Sequence, residues 1–340
     1  MQKILFFLST CFILKVCSAQ QSSFLKKLNI SDSVKAIQYY QELSFKHKST
    51  NQLVLKERHF AFAFKLKKAK MVIRFFNPDN EDKVVTLAKG LNVDDRGNNF
   101  VFRYPLKDTA TFKILTTLIV DSASNTTYYT GYVFLPAEQK WKLMGSYKCS
   151  ESQHYIGEIT FLRKGKHHIV AEANNEAWLQ RENNSWKNIS GSALQRPLID
   201  VTRNIDSAAT YKAEINLLNQ ALAAKQIDTT GFVDGVYYKI IKQGTGEKVQ
   251  ITDTVSVLYK GWLFNDGSVF DQTKEKPASF PLKRLIKGWQ LGLPQCNIGG
   301  IIRLYIPSAL AYSIRARSKS IPPNSILVFD VEVVAAKHGE

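Results

Sequence analysis

The feature that most constrains this 340-residue chain is a change in the spacing of its apolar residues near position 205. From about Arg58 to Pro197 they come in short alternating or continuous runs, at 60–66, 71–76, 100–104, 111–120, 128–135, 142–147, 157–162 and 168–173. Successive side chains of a strand point to opposite faces, so these runs read as strands. Asn77-Pro78-Asp79-Asn80, Arg96-Gly97-Asn98-Asn99 and Leu135-Pro136-Ala137 punctuate them as turns. Many strands with no helix between them predict an all-β sandwich or jelly roll over 58–204. Between Ile205 and Ile227 the spacing switches: Tyr211, Ile215, Leu218 and Leu222 recur at steps of three and four, with Asp206 or Ser207 available as N-cap. This predicts an amphipathic linker helix over 205–227. A lone helix of that length is marginal in water, so its stripe must lie on its own chain or on a second copy, as in a homodimer.

The length exceeds one ordinary domain, so two folded units with a leader and a linker are expected. Met1-Gln2-Lys3, the apolar run 4–16 and Cys17-Ser18-Ala19 read as a secretory signal peptide over 1–19, too short for a membrane span. An exported, periplasmic or secreted protein is expected, with lipidation at Cys11 or Cys17 and outer-membrane attachment as the alternative. Residues 20–57 read as a polar, Lys-rich N-terminal segment with one helical-looking stretch at 33–43. Beyond the leader only Cys149 and Cys296 remain, in different predicted domains, so a disulfide framework does not hold the fold together.

The net charge is +17, or +15 without Lys3 and Lys15 of the leader, which favours acidic partners. The basic residues are dispersed, however, and export argues against nucleic acid. His154, His167 and His168 lie near Glu151, Glu158 and Glu172 at spacings that match no metal site. Gly-x-Ser-x-Gly, phosphate-loop and Cys-x-x-Cys motifs are absent, so neither a metal nor another cofactor is expected. Trp141, Trp178, Trp186 and the Tyr128, Tyr129, Tyr132 group fit either a core or a surface that stacks on glycan rings.

The last third reads as strands at 235–241, 253–264, 301–306 and 326–334, a return strand beginning at 280, and a short helix at 285–291 carrying Trp289. Asn265-Asp266-Gly267 signals a hairpin because Asp-Gly tolerates positive φ. Within this frame stand Val257-Leu258-Tyr259-Lys260-Gly261, Gly267-Ser268-Val269-Phe270-Asp271, Leu285-Ile286-Lys287-Gly288-Trp289, Ala311-Tyr312 and Ile321-Pro322-Pro323-Asn324. In that order they resemble the FK506-binding-protein family of peptidyl-prolyl cis/trans isomerases over residues 228–337.

The resemblance implies an α+β fold, an antiparallel sheet wrapped on a short helix, acting on proline-containing polypeptides. It implies that Trp289 floors an apolar pocket walled by Tyr259, Phe270, Leu285, Ile286 and Phe329, with Ile321 at its border. It further implies that Tyr312 and the Ile286 amide donate to substrate carbonyls while Asp271 polarises the rim. Two positions depart from the family pattern: Ser313 follows the Ala-Tyr pair where glycine is usual, and Ala278 stands where an aromatic residue is frequent. Three positive charges, Arg315, Arg317 and Lys319, lie where substrate would approach, and they fit either a preference for acidic residues beside the proline or a solvated loop. The middle segment also resembles a family of secreted bacterial β-sandwich proteins of unknown function. That likeness rests on Phe76-Asn77-Pro78, Tyr129-Thr130-Gly131-Tyr132, Trp141-Lys142-Leu143, Asn175-Glu176-Ala177-Trp178 and Trp186. It supports the fold and export and assigns no chemistry; the unit is read as docking client proteins or, in the alternative, as gripping a glycan or envelope protein beside a passive isomerase-like adaptor.

Overall fold

A computed structural model describes residues 23–45, 52–67, 69–78, 84–96, 99–106, 109–150, 154–164, 176–189, 201–315 and 317–338. The leader expected at 1–19 and the strand expected at 168–173 lie outside them.

Two antiparallel sheets organise the first half. Side by side, the first runs Ser23–Leu28, Ile159–Lys164, Gln52–Lys56, Ala61–Lys67, Lys70–Phe76, Asn99–Pro105 and Asp94–Asp95. The second runs Trp186–Asn188, Ala177–Arg181, Ala36–Phe45, Ala110–Asp121, Thr126–Leu135, Lys140–Ser150 and Val84–Lys89. Their facing sides share one apolar cluster, in which Phe62, Phe64, Phe75 and Phe100 meet Tyr39, Phe45, Phe112 and Tyr147. Phe64 lies 5.1 Å from Phe45 and 6.0 Å from Phe112, and Phe75 lies 5.5 Å from Tyr147, centroid to centroid. Such ring pairs add about 0.5–1.5 kcal/mol each beyond the burial of their area.

The helix expected at 33–43 is not there. Ala36–Phe45 is a strand between Ala177–Arg181 and Ala110–Asp121, and the flanking strands Ser23–Leu28 and Gln52–Lys56 also belong to the sheets. The described strands within 20–57 are therefore part of the two sheets. The cause is burial on both faces: Tyr39 and Leu43 point into the shared cluster, whereas Tyr40 packs in a second cluster on the opposite side. When both faces are covered the period-two signal disappears, and apolar residues at 36, 39, 40 and 43 imitate a helical stripe.

That opposite side of the second sheet carries Tyr40, Leu115, Tyr132, Trp141, Leu143 and Trp178, covered by Val201, Ile205 and Ile314. From there the Ser207–Ala223 helix begins, capped by Asp206, whose Oδ1 accepts the Ala209 N–H at 3.0 Å. Such a cap contributes about 1 kcal/mol. Its buried face is Thr210, Ala213, Glu214, Leu218 and Ala221; of the expected stripe, Leu218 is buried and Tyr211, Ile215 and Leu222 are half-buried along its edge, with Ile215 packed against the Leu218 cluster. The helix packs on its own chain: Leu218 clusters with Tyr237, Tyr305, Ile326 and Val328, and Glu214 receives two hydrogen bonds from Ser308.

A third antiparallel sheet runs Gly231–Val233, Val236–Lys242, Ile301–Ile306, Leu327–Lys337, Thr254–Leu263 and Val269–Gln272, with Ala278–Pro281 paired to the first residues of Thr254–Leu263. The Lys287–Gly292 helix lies against it. A Cβ on Gly288 would come within 2.3 Å of Ile306 Cγ2, so only glycine permits this approach. The closeness lets Trp289 join Val255, Val257, Leu304, Phe329 and Val331 in the core. Cys149 and Cys296 are buried in separate clusters, so no disulfide links them.

Candidate functional site

At one end of the third sheet lies a cavity of about 410 Å³. The structure brings together in its wall all nine residues singled out from the sequence: Tyr259, Phe270, Asp271, Leu285, Ile286, Trp289, Tyr312, Ile321 and Phe329. They come from separate parts of the fold. Tyr259 and Phe329 stand on neighbouring central strands, Phe270 and Asp271 on the edge strand, Leu285, Ile286 and Trp289 at the start of the short helix, and Tyr312 and Ile321 on the connection between Ile301–Ile306 and Leu327–Lys337.

The ring geometry follows from strand register. Gly261 lies directly opposite both Asp271 and Phe329. A Cβ there would meet Phe270 Cε2 and Phe329 Cε1 at 2.7 Å, so the missing side chain is the space in which the two rings meet. The register shift beside Gly261 turns the edge strand and aims Phe270 at the cavity. Phe329 lies 5.2 Å from Trp289 at an interplanar angle of 90°, Tyr259 lies 5.5 Å from Trp289 at 85°, and Phe270 lies 5.4 Å from Phe329 at 80°. These edge-to-face contacts hold the rings upright around the indole. Trp289, Ile321 and Phe329 are buried and form the depth of the cavity; Tyr259, Phe270, Leu285, Ile286 and Tyr312 are half-buried and form its walls.

Polar groups are few and fixed. Tyr259 Oη donates to Asp271 Oδ2 at 2.7 Å. Burial, and then the Asp271 carboxylate that accepts this bond, hold the Tyr259 phenol above its ordinary pKa, so it stays a donor. Ile286 caps the short helix; its carbonyl accepts the N–H groups of Trp289 at 3.0 Å and Gln290 at 3.2 Å. Its own N–H has no acceptor among the described residues. Gln290 Nε2 donates to the Leu285 carbonyl at 2.8 Å and pins the turn. The Trp289 indole N–H, at the floor, has no hydrogen-bond partner within the described chain.

Four further residues line the cavity: Phe280, Arg317, Ser318 and Ser320. Phe280 was legible only as a strand residue. It stands two positions after Ala278 on a strand whose burial alternates, so both face the same way, and its ring lies 6.3 Å from Tyr259. The aromatic wall missing at Ala278 is thus supplied two residues later. Ser313 takes a left-handed conformation, φ +54°, the region that favours the glycine it replaces. Among the described residues no group of three or more His, Cys, Asp or Glu side chains is placed to hold a metal ion, and no helix is long and apolar enough to cross a membrane.

This is an aromatic cleft with one carboxylate, two phenols and an unused backbone N–H in its wall, set in an antiparallel sheet around a short helix, and it has the shape and polarity to hold an apolar ring beside an amide. The family described as FKBP-type peptidyl-prolyl cis-trans isomerase matches residues 245–334. A probable FKBP-type peptidyl-prolyl cis-trans isomerase of Haemophilus influenzae is 38% identical over 152 residues, covering 42% of this chain and 62% of that protein. FkpA, an FKBP-type peptidyl-prolyl cis-trans isomerase of Escherichia coli, is 47% identical over 105 residues, covering 30% of this chain and 38% of that protein. A crystal structure of a peptidyl-prolyl cis-trans isomerase from Pseudomonas syringae is 30% identical, with a TM-score of 0.34, covering 43% of this chain and 100% of that one. Residues 245–334 are thus a domain of the FKBP-type peptidyl-prolyl cis-trans isomerase family. The chain spans less than two thirds of the two curated relatives named above.

Proposed function

We propose that this chain accelerates the cis/trans isomerisation of Xaa-Pro bonds in polypeptides during folding. The barrier to that rotation is about 18–20 kcal/mol, and the uncatalysed step takes tens to hundreds of seconds. Bringing it to milliseconds means lowering the barrier by roughly 6 kcal/mol at about 1.36 kcal/mol per tenfold. No covalent step is required, because binding the twisted amide more tightly than the planar one is sufficient. The prolyl ring sits on Trp289 between Tyr259, Phe270, Ile321 and Phe329. There the amide loses water and its less conjugated, twisted form is favoured. Tyr312 Oη and the Ile286 N–H donate to substrate carbonyls, and Asp271, held by Tyr259, orients the rim. The observation that carries this reading is the convergence of the nine residues on one cavity within the matched segment.

Around this activity we take the two stacked sheets as a β-sandwich unit, the Ser207–Ala223 helix as its connector and residues from 228 onward as the isomerase unit. The leader-like start of the sequence supports export to the periplasm or medium. Trp141 and Trp178 are 3% and 7% exposed, which weighs against the glycan alternative at those two rings, whereas Trp186 is half-buried. The test is acceleration of isomerisation in an Xaa-Pro peptide by the full chain, with Asp271→Val and Tyr312→Phe each lowering kcat/KM by about tenfold or more. A wild-type chain without acceleration, or variants equal to it, would refute the proposal.

A further inference from the structure

The side of the cavity formed by Tyr312 and Ile321 belongs to the connection between Ile306 and Leu327, whose described residues carry little regular structure beyond the short turn Ser308–Leu310. Its base is closed by short backbone bonds. Ser313 N–H donates to Ser308 O at 2.8 Å, and Asn324 N–H donates to Ser313 O at 2.8 Å. Both Ser313 and Asn324 are left-handed, at φ +54° and +59°, a conformation that costs a non-glycine residue free energy and needs support from its surroundings.

The support comes from the other half of the molecule. Asn324 Nδ2 donates to Tyr132 Oη at 3.1 Å; the two residues are 192 positions apart, 1% and 2% exposed respectively. Tyr132 stands on the outer side of the second sheet. Beside it Ile314, from the same connection, packs into the cluster of Tyr40, Trp141, Leu143 and Trp178. A second attachment holds the opposite wall. Lys148, on the neighbouring strand of that sheet, pairs with Asp266 and donates to Ser268 Oγ at 3.2 Å. Asp266 in turn accepts the Ser268 N–H at 3.0 Å and hydroxyl at 2.7 Å. These residues form the hairpin that leads directly into Phe270 and Asp271. Both polar walls of the cavity are therefore anchored on one sheet that itself contributes no lining residue.

We propose that the N-terminal sheets are a positioning element of the prolyl pocket, with Tyr132 the residue that seats the segment bearing Tyr312 and Ile321. The inference rests on the isomerase reading for its kinetic arm only. Without the Tyr132 hydroxyl the buried Asn324 amide loses its acceptor, and the connection leaves its seated form for part of the time. Substrate binding must then reorder it, so apparent affinity falls by the seated fraction while turnover at saturation is retained.

The experiment compares full-length wild type, Tyr132→Phe, Ile314→Ala and a matched control, Tyr104→Phe. The control removes another buried hydroxyl, the acceptor of the Ala137 N–H at 3.1 Å, on the first sheet and away from the connection. For both Tyr132→Phe and Ile314→Ala, KM for an Xaa-Pro peptide should rise by about three- to tenfold with kcat nearly unchanged. Amide exchange at Ser313 and Asn324 should quicken by about tenfold while the 301–306 and 327–337 strands keep their protection. Tyr104→Phe should match wild type in both. A fall in kcat with KM unchanged, uniform loss of protection, or unchanged exchange at Ser313 and Asn324 in both variants would overturn the proposal. Because exchange is read without turnover, an inactive wild type would sink the isomerase reading and leave this test standing.

Discussion

Glu214 is the buried acid on which the attachment of the Ser207–Ala223 helix depends, and replacing it with glutamine gives a pH-dependent result whose sign is fixed. Its carboxyl accepts the Ser308 hydroxyl at 2.5 Å and the Ser308 N–H at 2.8 Å, and it is 5% exposed. Burial pushes its pKa up from 4.5 to about 7, against the lowering effect of the two Ser308 bonds. The folded state therefore holds a proton that the unfolded chain releases. Stability from this group is fully present below about pH 4.5 and is lost as pH rises through about 7. At about 1.36 kcal/mol per pK unit, the shift from 4.5 to about 7 corresponds to about 3 kcal/mol.

Glu214→Gln keeps the shape, can accept the Ser308 N–H and donate to its hydroxyl, and carries no charge at any pH. The assay is urea unfolding followed by tryptophan fluorescence from pH 4.5 to 8. Wild type and variant should be nearly equal at the acid end. At pH 8 the variant should be more stable by about 3 kcal/mol, with the difference opening between pH 5 and 7. Parallel stability curves, or a wild type that gains on the variant as pH rises, would refute the assignment of a raised pKa to this site.

Three further outcomes follow from the pocket. Ser313→Gly removes about 1–2 kcal/mol of left-handed strain at the cost of about 0.5–1 kcal/mol of unfolded-chain entropy, so thermal unfolding should show a net gain of about 0.5–1 kcal/mol. Gly261→Ala forces a methyl group into the Phe270 and Phe329 rings, so the same measurement should show a loss of about 1–3 kcal/mol together with weakened peptide binding. Arg317, exposed on the cavity wall, should favour an acidic residue next to the proline; Arg317→Glu should reverse the preference between Glu-Pro and Lys-Pro peptides by a few-fold at low salt, and equal rates for both peptides in both proteins would remove it from recognition.

The pocket was legible because its residues are tied to local features. Gly261, Phe270-Asp271 behind the Asp-Gly turn, and Trp289 in the first turn of a short helix each have their place set by strand register or by the turn, so order and spacing carry nearly the whole wall. Phe280 escaped because one position of the expected pattern, Ala278, drew attention from a residue on the same face two steps later. Arg317 could be seen as a charge near the approach but not as part of the wall. In the first half, strands that face the shared cluster on one side were readable, whereas Ala36–Phe45 was not: Gln41 lies buried among the strand's apolar residues and Tyr40 is packed on the other side. The helix was legible with Leu218 on its stripe, yet the burial of the polar Thr210 and Glu214 beside that stripe was not.

The sequence by itself determined the elements of the C-terminal sheet and the residues that meet in its cavity, because periodicity, turn chemistry and glycine placement act over a few residues. Only the tertiary structure decided what holds that cavity in shape. Tyr132 with Asn324, Lys148 with Asp266 and Glu214 with Ser308 join side chains separated by 192, by more than a hundred and by 94 positions. Each is a polar group whose burial is tolerable only because its partner is brought to it, and nothing in the local spacing of either residue specifies the other.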